Sequence, residues 1–349
     1  MSIGVLIVDD SALMRKLLEI RLGKEDDIDV IGTASDASEA RRLIKTLNPD
    51  VVTLDIEMPG MDGLSFLQKI MELRPTPVIV VSGFTKEGAV TTARALQLRA
   101  ISSYAKSDRY GGMADDDGGR LANQVREAAT VSFAHAKQRT VPTLKHRPPL
   151  NGETQLIAIG SSTGGVEALH TLLSGFPSNC PPTVIVQHVN ACFAPAIARS
   201  LDSACKARVV VAQTDTPLKP GTISLAPGGD RHLMVASAGS KGFRTILRTG
   251  DPVSGHQPSV DALFNSIAEL HGIKVTGVLL TGMGQDGANG LLNLANGGAK
   301  TFVQDEKSCV VFGMPRKAIE LGAAQNVLAL DQIAPALFER HSTQPGVDA

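Results

Sequence analysis

The sequence predicts a doubly wound, parallel-sheet α/β architecture built twice, as two domains in one chain. Three observations carry this. Short apolar runs alternate with helix-period segments over residues 1 to about 107, and the same alternation resumes at Leu156. Between them lies a stretch rich in proline and charge that lacks apolar periodicity. The length, 349 residues, is enough for two domains that each bury a core.

In the first half, Val5–Val8, Val30–Thr33, Val51–Leu54 and Val78–Val81 read as strands, with Ala100–Tyr104 as a fifth. Helical patterns lie between them at Ala12–Leu22, Ala37–Leu47, Gly63–Leu73 and Lys86–Leu98. Ligands of such sheets sit beyond the carboxyl ends of the strands. Asp9 and Asp10 close the first strand and Asp55 the third, with Ser82 after the fourth and Lys106 after the fifth. Clustered carboxylates repel one another, so a hard divalent cation such as Mg²⁺ suits them, although Asp10 could equally cap the next helix. Carboxylates, a cation, a hydroxyl and a lysine at one edge suit acceptance of a phosphoryl group.

At these residues the chain resembles the response-regulator receivers of two-component signalling. The matching segments are Val8-Asp9-Asp10-Ser11, Asp55-Ile56-Glu57-Met58-Pro59-Gly60-Met61-Asp62-Gly63, Ser82 and Lys106. The resemblance implies Asp55 as phospho-acceptor, Asp9, Asp10 and Asp55 as holders of Mg²⁺, and Ser82 and Lys106 as the phospho-switch pair. Two positions depart from the family. Ser107 replaces the usual proline after the lysine, and Ser103 replaces the switch aromatic, with Tyr104 beside it.

Arg120–Phe133 reads as a last amphipathic helix of the first domain, and the segment Arg139–Leu150 as an exposed linker. The expected boundaries are 1–134 for the first domain, 135–152 for the linker and 153–349 for the second domain. Strands are expected at Leu156–Ile159, Val184–Val186, Val209–Ala212, Lys274–Leu280 and Thr301–Val303, with helical patterns after Gly164, Phe193, Pro258, Asp286 and Pro315. Thr222–Pro227, Leu233–Val235 and Thr245–Leu247 read as a small antiparallel excursion.

Gly160-Ser161-Ser162-Thr163-Gly164-Gly165 follows the first of these strands and leads into a helix. The run fits the G-x-S-x-G pattern of a nucleophile elbow centred on Ser162, and it also fits a Ser/Thr helix cap. His188 ends the next strand, and Asp286 follows the strand Lys274–Leu280, so hydroxyl, imidazole and carboxylate share one sheet edge. His170, His232, His256 and His271 compete for the role of base, and an Asp before Gly is also a common turn residue. The residues alone leave open a serine hydrolase, with small esters among its possible substrates, and a regulator whose output domain only binds a partner.

The order Ser, His, Asp is not that of an α/β-hydrolase. The chain resembles instead the chemotaxis protein-glutamate methylesterases, the CheB family. The resemblance runs through Ile159–Gly165, Gln187-His188, Ala226–His232, Pro258–Asp261, Leu280–Gly287, Gln304–Glu306 and Phe312–Pro315. It implies an α/β hydrolase-like methylesterase domain in which Ser162 is nucleophile, His188 base and Asp286 the group that orients it. It also implies Met283 as an oxyanion donor, and the helix start suggests the Thr163 N–H as a second. The expected activities are hydrolysis of glutamate methyl esters on methyl-accepting chemotaxis receptors, with release of methanol, and deamidation of receptor glutamines. No cofactor is implied for the esterase step. A chemotaxis-type histidine kinase is the implied phosphodonor, and in the family the unphosphorylated receiver packs over the hydrolase cleft.

Composition excludes little else. A formal net charge of -1 offers no general attraction to nucleic acid or an anionic membrane. Cys180, Cys192, Cys205 and Cys309 form no C-x-x-C pair, so neither a zinc site nor a disulfide framework is expected. With no leader pattern and no apolar run long enough to span a bilayer, the expectation is a cytoplasmic monomer without membrane insertion.

Overall fold

The computed structural model describes residues 2–58, 63–83, 85–106, 118–131 and 155–338. Ser107, part of the Asp55 motif (59–62), the expected linker and the tail 342–349 lie outside the described residues.

The first sheet is formed by β1 (Ile3–Val8), β2 (Ile28–Ala34), β3 (Val51–Asp55), β4 (Val78–Ser82) and β5 (Ser102–Ala105). All neighbours are parallel, in the order β2-β1-β3-β4-β5. The helices α1 (Ala12–Leu22), α2 (Ala37–Leu47), α3 (Gly63–Leu73), α4 (Lys86–Gln97) and α5 (Arg120–Ala129) connect and cover it. Every residue of β3 and β4 is buried, as central parallel strands with helices on both faces must be. Helix starts follow local chemistry: Ser11, Asp36 and Thr85 each accept a hydrogen bond from the backbone N–H three residues on. The cap of α1 is therefore Ser11, which leaves the Asp10 carboxylate for other work.

The second sheet holds β6 (Leu156–Ser161), β7 (Thr183–Gln187), β8 (Arg208–Val211), β10 (Thr222–Leu225), β13 (Val275–Leu279), β14 (Lys300–Gln304) and β15 (Asn326–Leu328). Its order is β15-β14-β13-β6-β7-β10-β8, all parallel. The helices are α6 (Gly165–Ser174), α7 (Ala194–Ala204), α8 (Val260–Ala268), α9 (Ala288–Asn296), α10 (Met314–Glu320) and α11 (Leu330–Phe338). A small antiparallel sheet of β9 (Thr216–Pro217), β11 (Arg231–Ser237) and β12 (Phe243–Thr249) stands apart.

One expectation needs correction. Thr222–Leu225 is not part of the antiparallel excursion; it lies between β7 and β8 in the main sheet, with Ile223 and Leu225 fully buried. The alternation Thr-Ile-Ser-Leu reads as a strand with one solvent face, whereas here Ser224 is buried as well. The sequence reading also missed β15 and α11. Only three residues make up β15, and α11 carries Pro335 inside it. It is held by packing on α6 and by an edge-to-face contact of Phe338 with Phe176, just beyond that helix, at 5.0 Å.

The chain passes from β6 to β7 on one side, and returns later to place β13 on the other side of β6. The carboxyl ends of β6, β7 and β13 thus meet at the point where strand order reverses, where such sheets open a crevice. The two domains touch through α4, which packs on α6 and α7, and through α5. Among the described residues no helix is long and apolar enough to cross a membrane.

Candidate functional site

Ser162 stands between the end of β6 and the start of α6. The helix cap is Gly164, at φ +74° and with no side-chain cap bond, so Ser162 does not serve as the cap. A Cβ at Gly164 would also lie 2.5 Å from Val310 Cβ. The left-handed turn thus falls on glycine, and Ser162 itself is not among the positive-φ residues. This departs from the strained elbow of α/β-hydrolases, in which the nucleophile occupies the sharp turn. The serine is pinned by its backbone: its N–H donates to the Thr281 carbonyl at 3.0 Å, and its carbonyl accepts from Gly165 N and Gln187 Nε2.

The Ser162 hydroxyl lies 3.0 Å from His188 Nδ1, and His188 Nε2 lies 2.8 Å from Asp286 Oδ2. Asp286 is fully buried. It accepts from the Ser259 hydroxyl and the Asp261 N–H on Oδ1, and from the Val260 N–H on Oδ2. These donors are the first turn of α8, so Asp286 sits on a helix N-terminus where unpaired N–H groups and the helix dipole favour an anion. Burial by itself would raise this carboxyl. The hydrogen bond and charge of His188, with the Asp261 and Ser259 donors, outweigh burial and hold it below its ordinary value. An ionised Asp286 only accepts, which assigns the ring proton to Nε2 and turns the Nδ1 lone pair toward Ser162. The two ring nitrogens have exchanged the parts they play in the serine-protease triad.

The competing histidines are otherwise engaged. His170 pairs with Ser200, His271 with the Glu269 carbonyl, and His232 bridges the Ser259 N–H and the Asp251 carbonyl. His256 lies flat on His188, with ring centroids 3.8 Å apart and planes 11° apart.

Thr163 lines a cavity of about 510 Å³ together with Ser162, His188 and His256; its far wall is Tyr104, Arg120, Gln124 and Glu127 of the first domain. The Thr163 hydroxyl donates to Glu127 at 2.9 Å across the domain boundary. Burial is the main cause that pushes the Glu127 carboxyl up, against the pull of Thr163 and of His188. Met283 is on the loop that abuts the serine: a Cβ on its neighbour Gly282 would lie 2.7 Å from Ser162 Cβ and 2.3 Å from Met314 Sδ.

At the first sheet edge, Asp9, Asp10 and Asp55 bring one oxygen each within 4.8 Å of one another. Lys106 Nζ reaches Asp9 at 2.9 Å and Asp55 at 2.5 Å. Burial raises the Asp9 carboxyl, with Lys106 pulling it down and Asp55 adding to the rise. Burial by itself would lower Lys106, but the two carboxylates outweigh it and raise the ammonium. Two buried carboxylates and a third, exposed one exceed what one lysine neutralises, and this all-oxygen set fits a hard cation. Ser82 is buried at the end of β4, next to β3. Ser103 and Tyr104 face opposite ways on β5: Tyr104 is buried against α5, where the Arg21 guanidinium meets its hydroxyl.

Two residues act here to which the sequence reading gave no role: Gln187, named only within a motif, and Glu127, not singled out at all. Gln187 ties the serine loop to the histidine strand: its Oε1 accepts from Ser161 Oγ at 2.7 Å, and its Nε2 donates to the carbonyls of Ser162 and His188. Glu127 enters from the other domain, which nothing local to either motif announces.

Residues 157–337 match the family described as CheB methylesterase, and residues 5–107 match the response regulator receiver domain. The protein-glutamate methylesterase/protein-glutamine glutaminase 1 of Caulobacter vibrioides is 49% identical over 346 residues, 98% of this chain and 99% of that one. The protein-glutamate methylesterase/protein-glutamine glutaminase of Salmonella typhimurium is 43% identical, over 97% of each chain. Among solved structures, the CheB methylesterase catalytic domain of Thermotoga maritima is similar, at 35% identity and a TM-score of 0.51. That match covers 53% of this chain and 97% of that domain.

Proposed function

Because the chain belongs to the CheB methylesterase family and carries a response regulator receiver domain, we propose that it is a phosphorylation-activated protein-glutamate methylesterase and protein-glutamine glutaminase of chemotaxis signalling. Its substrates are the methyl-accepting chemotaxis receptors, and a chemotaxis-type histidine kinase is the phosphodonor. The receiver occupies 1–134, the linker 135–152 and the methylesterase domain 153–349; the chain acts as a cytoplasmic monomer.

The observation that carries the reading is the continuous relay from Ser162 through His188 to the buried, ionised Asp286, at 3.0 and 2.8 Å. Ser162 Oγ attacks the ester carbonyl of a receptor glutamate as its proton passes to His188 Nδ1. Asp286 stabilises the imidazolium through Nε2–H. The N–H groups of Thr163 and Met283 receive the oxyanion; both make no hydrogen bond among the described residues, and each such donor is worth about 2.7–4 kcal/mol in the transition state. Collapse breaks the C–OCH₃ bond, the methoxide takes the proton from Nδ1, and methanol leaves. Water then gives a proton to Nδ1 and attacks the acyl carbon, which frees the glutamate and returns the proton to Ser162. With glutamine the leaving group is ammonia.

In the receiver, Asp55 accepts the phosphoryl group. Asp9, Asp10 and Asp55 would hold Mg²⁺, which supplies positive charge to offset a phosphoryl group. Lys106 pairs with the phosphoryl and Ser82 hydrogen-bonds it. Glu127 and α4 support a closed arrangement in which the receiver walls the hydrolase cavity, and phosphorylation shifts the population toward an open one.

Methanol release from methylated receptor membranes, with and without a small-molecule phosphodonor, tests the reading. Wild type releases methanol faster with the phosphodonor, and Ser162→Ala keeps its fold and releases none. Full activity in Ser162→Ala refutes the proposed chemistry.

A further inference from the structure

The ring of His256 has no part in the relay just described, yet it covers one whole face of the imidazole that does the proton transfer. The stack is close and nearly parallel, at 3.8 Å and 11°. No hydrogen bond fixes the His256 ring itself among the described residues, so its position is set entirely by the loop that carries it.

That loop is tied down on both sides of His256. It runs from the end of β12 to the start of α8 and turns back at Ser254-Gly255, with Val253 and His256 exchanging both backbone hydrogen bonds, at 3.1 and 3.0 Å. Both central residues have positive φ, +52° at Ser254 and +78° at Gly255. Glycine takes that conformation freely, whereas serine does so only under constraint. The constraint is visible: the Ser254 hydroxyl donates to Asp261 Oδ2 at 2.7 Å, and Asp261, a buried carboxylate, also accepts from the Gly290 N–H. On the other flank, Gln257 Nε2 donates to the carbonyls of Asp230 and Gly250. A strained serine held by a buried acid, with an amide clamp beyond it, leaves the His256 ring little freedom to move.

The geometry points to His256 as a positioning residue for the esterase reaction: its flat ring fixes the plane of His188 and keeps water off that face. A ring free to rotate about its Cβ–Cγ bond would lose either the Ser162 or the Asp286 partner; a plate 3.8 Å away forbids the rotation. The plate must also be uncharged when His188 becomes imidazolium. Burial, with the neighbouring His188 charge, pushes His256 down to about 4, so it stays neutral across the range where an esterase works. A flat, neutral π face beside a cation is favourable, whereas a second cation would not be.

The inference rests on the proposed triad, and the variants separate the two. Methanol release from methylated receptor membranes is measured for the full chain with a phosphodonor, comparing wild type, Ser162→Ala, His256→Ala and His256→Phe, each checked by thermal melting. Displacing a catalytic group by about 1 Å costs up to about 100-fold, so His256→Ala should lose between about 10- and 100-fold in kcat, with KM nearly unchanged. Phenylalanine keeps the plane and the neutrality without the nitrogens, so His256→Phe should stay within about threefold of wild type. Wild-type kcat in His256→Ala, a loss confined to KM, or a greater loss in His256→Phe overturns the inference. Should His256→Ala not fold, the phenylalanine variant decides by the same threshold. Activity in Ser162→Ala brings down the triad itself; an inactive Ser162→Ala beside a fully active His256→Ala brings down only the role of His256.

Discussion

Glu127→Ala should raise the activity of the unphosphorylated enzyme. Glu127 is the side chain by which α5 reaches the serine loop, accepting from the Thr163 hydroxyl at 2.9 Å. A hydrogen bond to a charged group contributes about 1.5–3 kcal/mol. Against this stands the burial of the carboxyl, which pushes its pKa up and so opposes the charged form in the closed arrangement. The hydrogen bond is therefore taken at the ordinary net value, about 1 kcal/mol in favour of closure, which is about fivefold in the ratio of closed to open. The assay is the initial rate of methanol release from methylated receptor membranes. Without phosphodonor, Glu127→Ala should be about fivefold faster than wild type; with it, the two should agree, because in the proposed scheme the phosphorylated wild type is already open. Glu127→Gln keeps an acceptor without the charge and should fall between. An unchanged or lower unphosphorylated rate in Glu127→Ala refutes the latch. So does an equal gain with and without phosphodonor, which would mean that removing a negative charge near His188 acted on the chemistry and not on closure.

Three further outcomes follow from the same geometry. Asp55→Asn removes the proposed phosphoryl acceptor and one of the two carboxylates on Lys106; it should keep the basal methanol rate and lose its rise with phosphodonor, and a retained rise would place acceptance elsewhere. Gly282→Ala puts a methyl against Met314 Sδ and Ser162 Cβ, so overpacking of about 1–3 kcal/mol should appear as a lower urea midpoint together with reduced kcat, whereas wild-type values in both would show that the loop yields. Asp286 has a folded pKa below its unfolded one, so its contribution to stability is present above about pH 4 and is lost as pH falls through the folded value. Between pH 5 and pH 3, the urea midpoint of wild type should therefore fall more steeply than that of Asp286→Asn, and parallel slopes would refute the assignment.

Much of this site was legible before any coordinates. Ser162, His188 and Asp286 each follow a short apolar run, and a parallel sheet delivers the ends of its strands to one edge whatever the loops do. The acidic edge of the first domain was legible for the same reason, with Asp9 and Asp55 at the ends of adjacent strands β1 and β3. Thr222–Leu225 was misplaced because local pattern records burial, not the partner that buries it. Gln187 stood in a recognised segment without a role, since its two-way tie between β6 and β7 exists only once the strands are paired.

The alternation of apolar runs and helical periods, by itself, determined two parallel α/β units and the set of side chains available at their edges, because periodicity and turn chemistry are local properties. Tertiary structure alone decided which nitrogen of His188 faces the serine. That choice depends on Asp286 being seated on the first turn of α8, a helix more than 20 residues away in sequence. It likewise decided that Glu127 and His256 belong to the site at all. Both arrive on segments whose own sequence describes only a surface helix and a turn, and contact between distant segments is set by how whole layers pack, which no local pattern encodes.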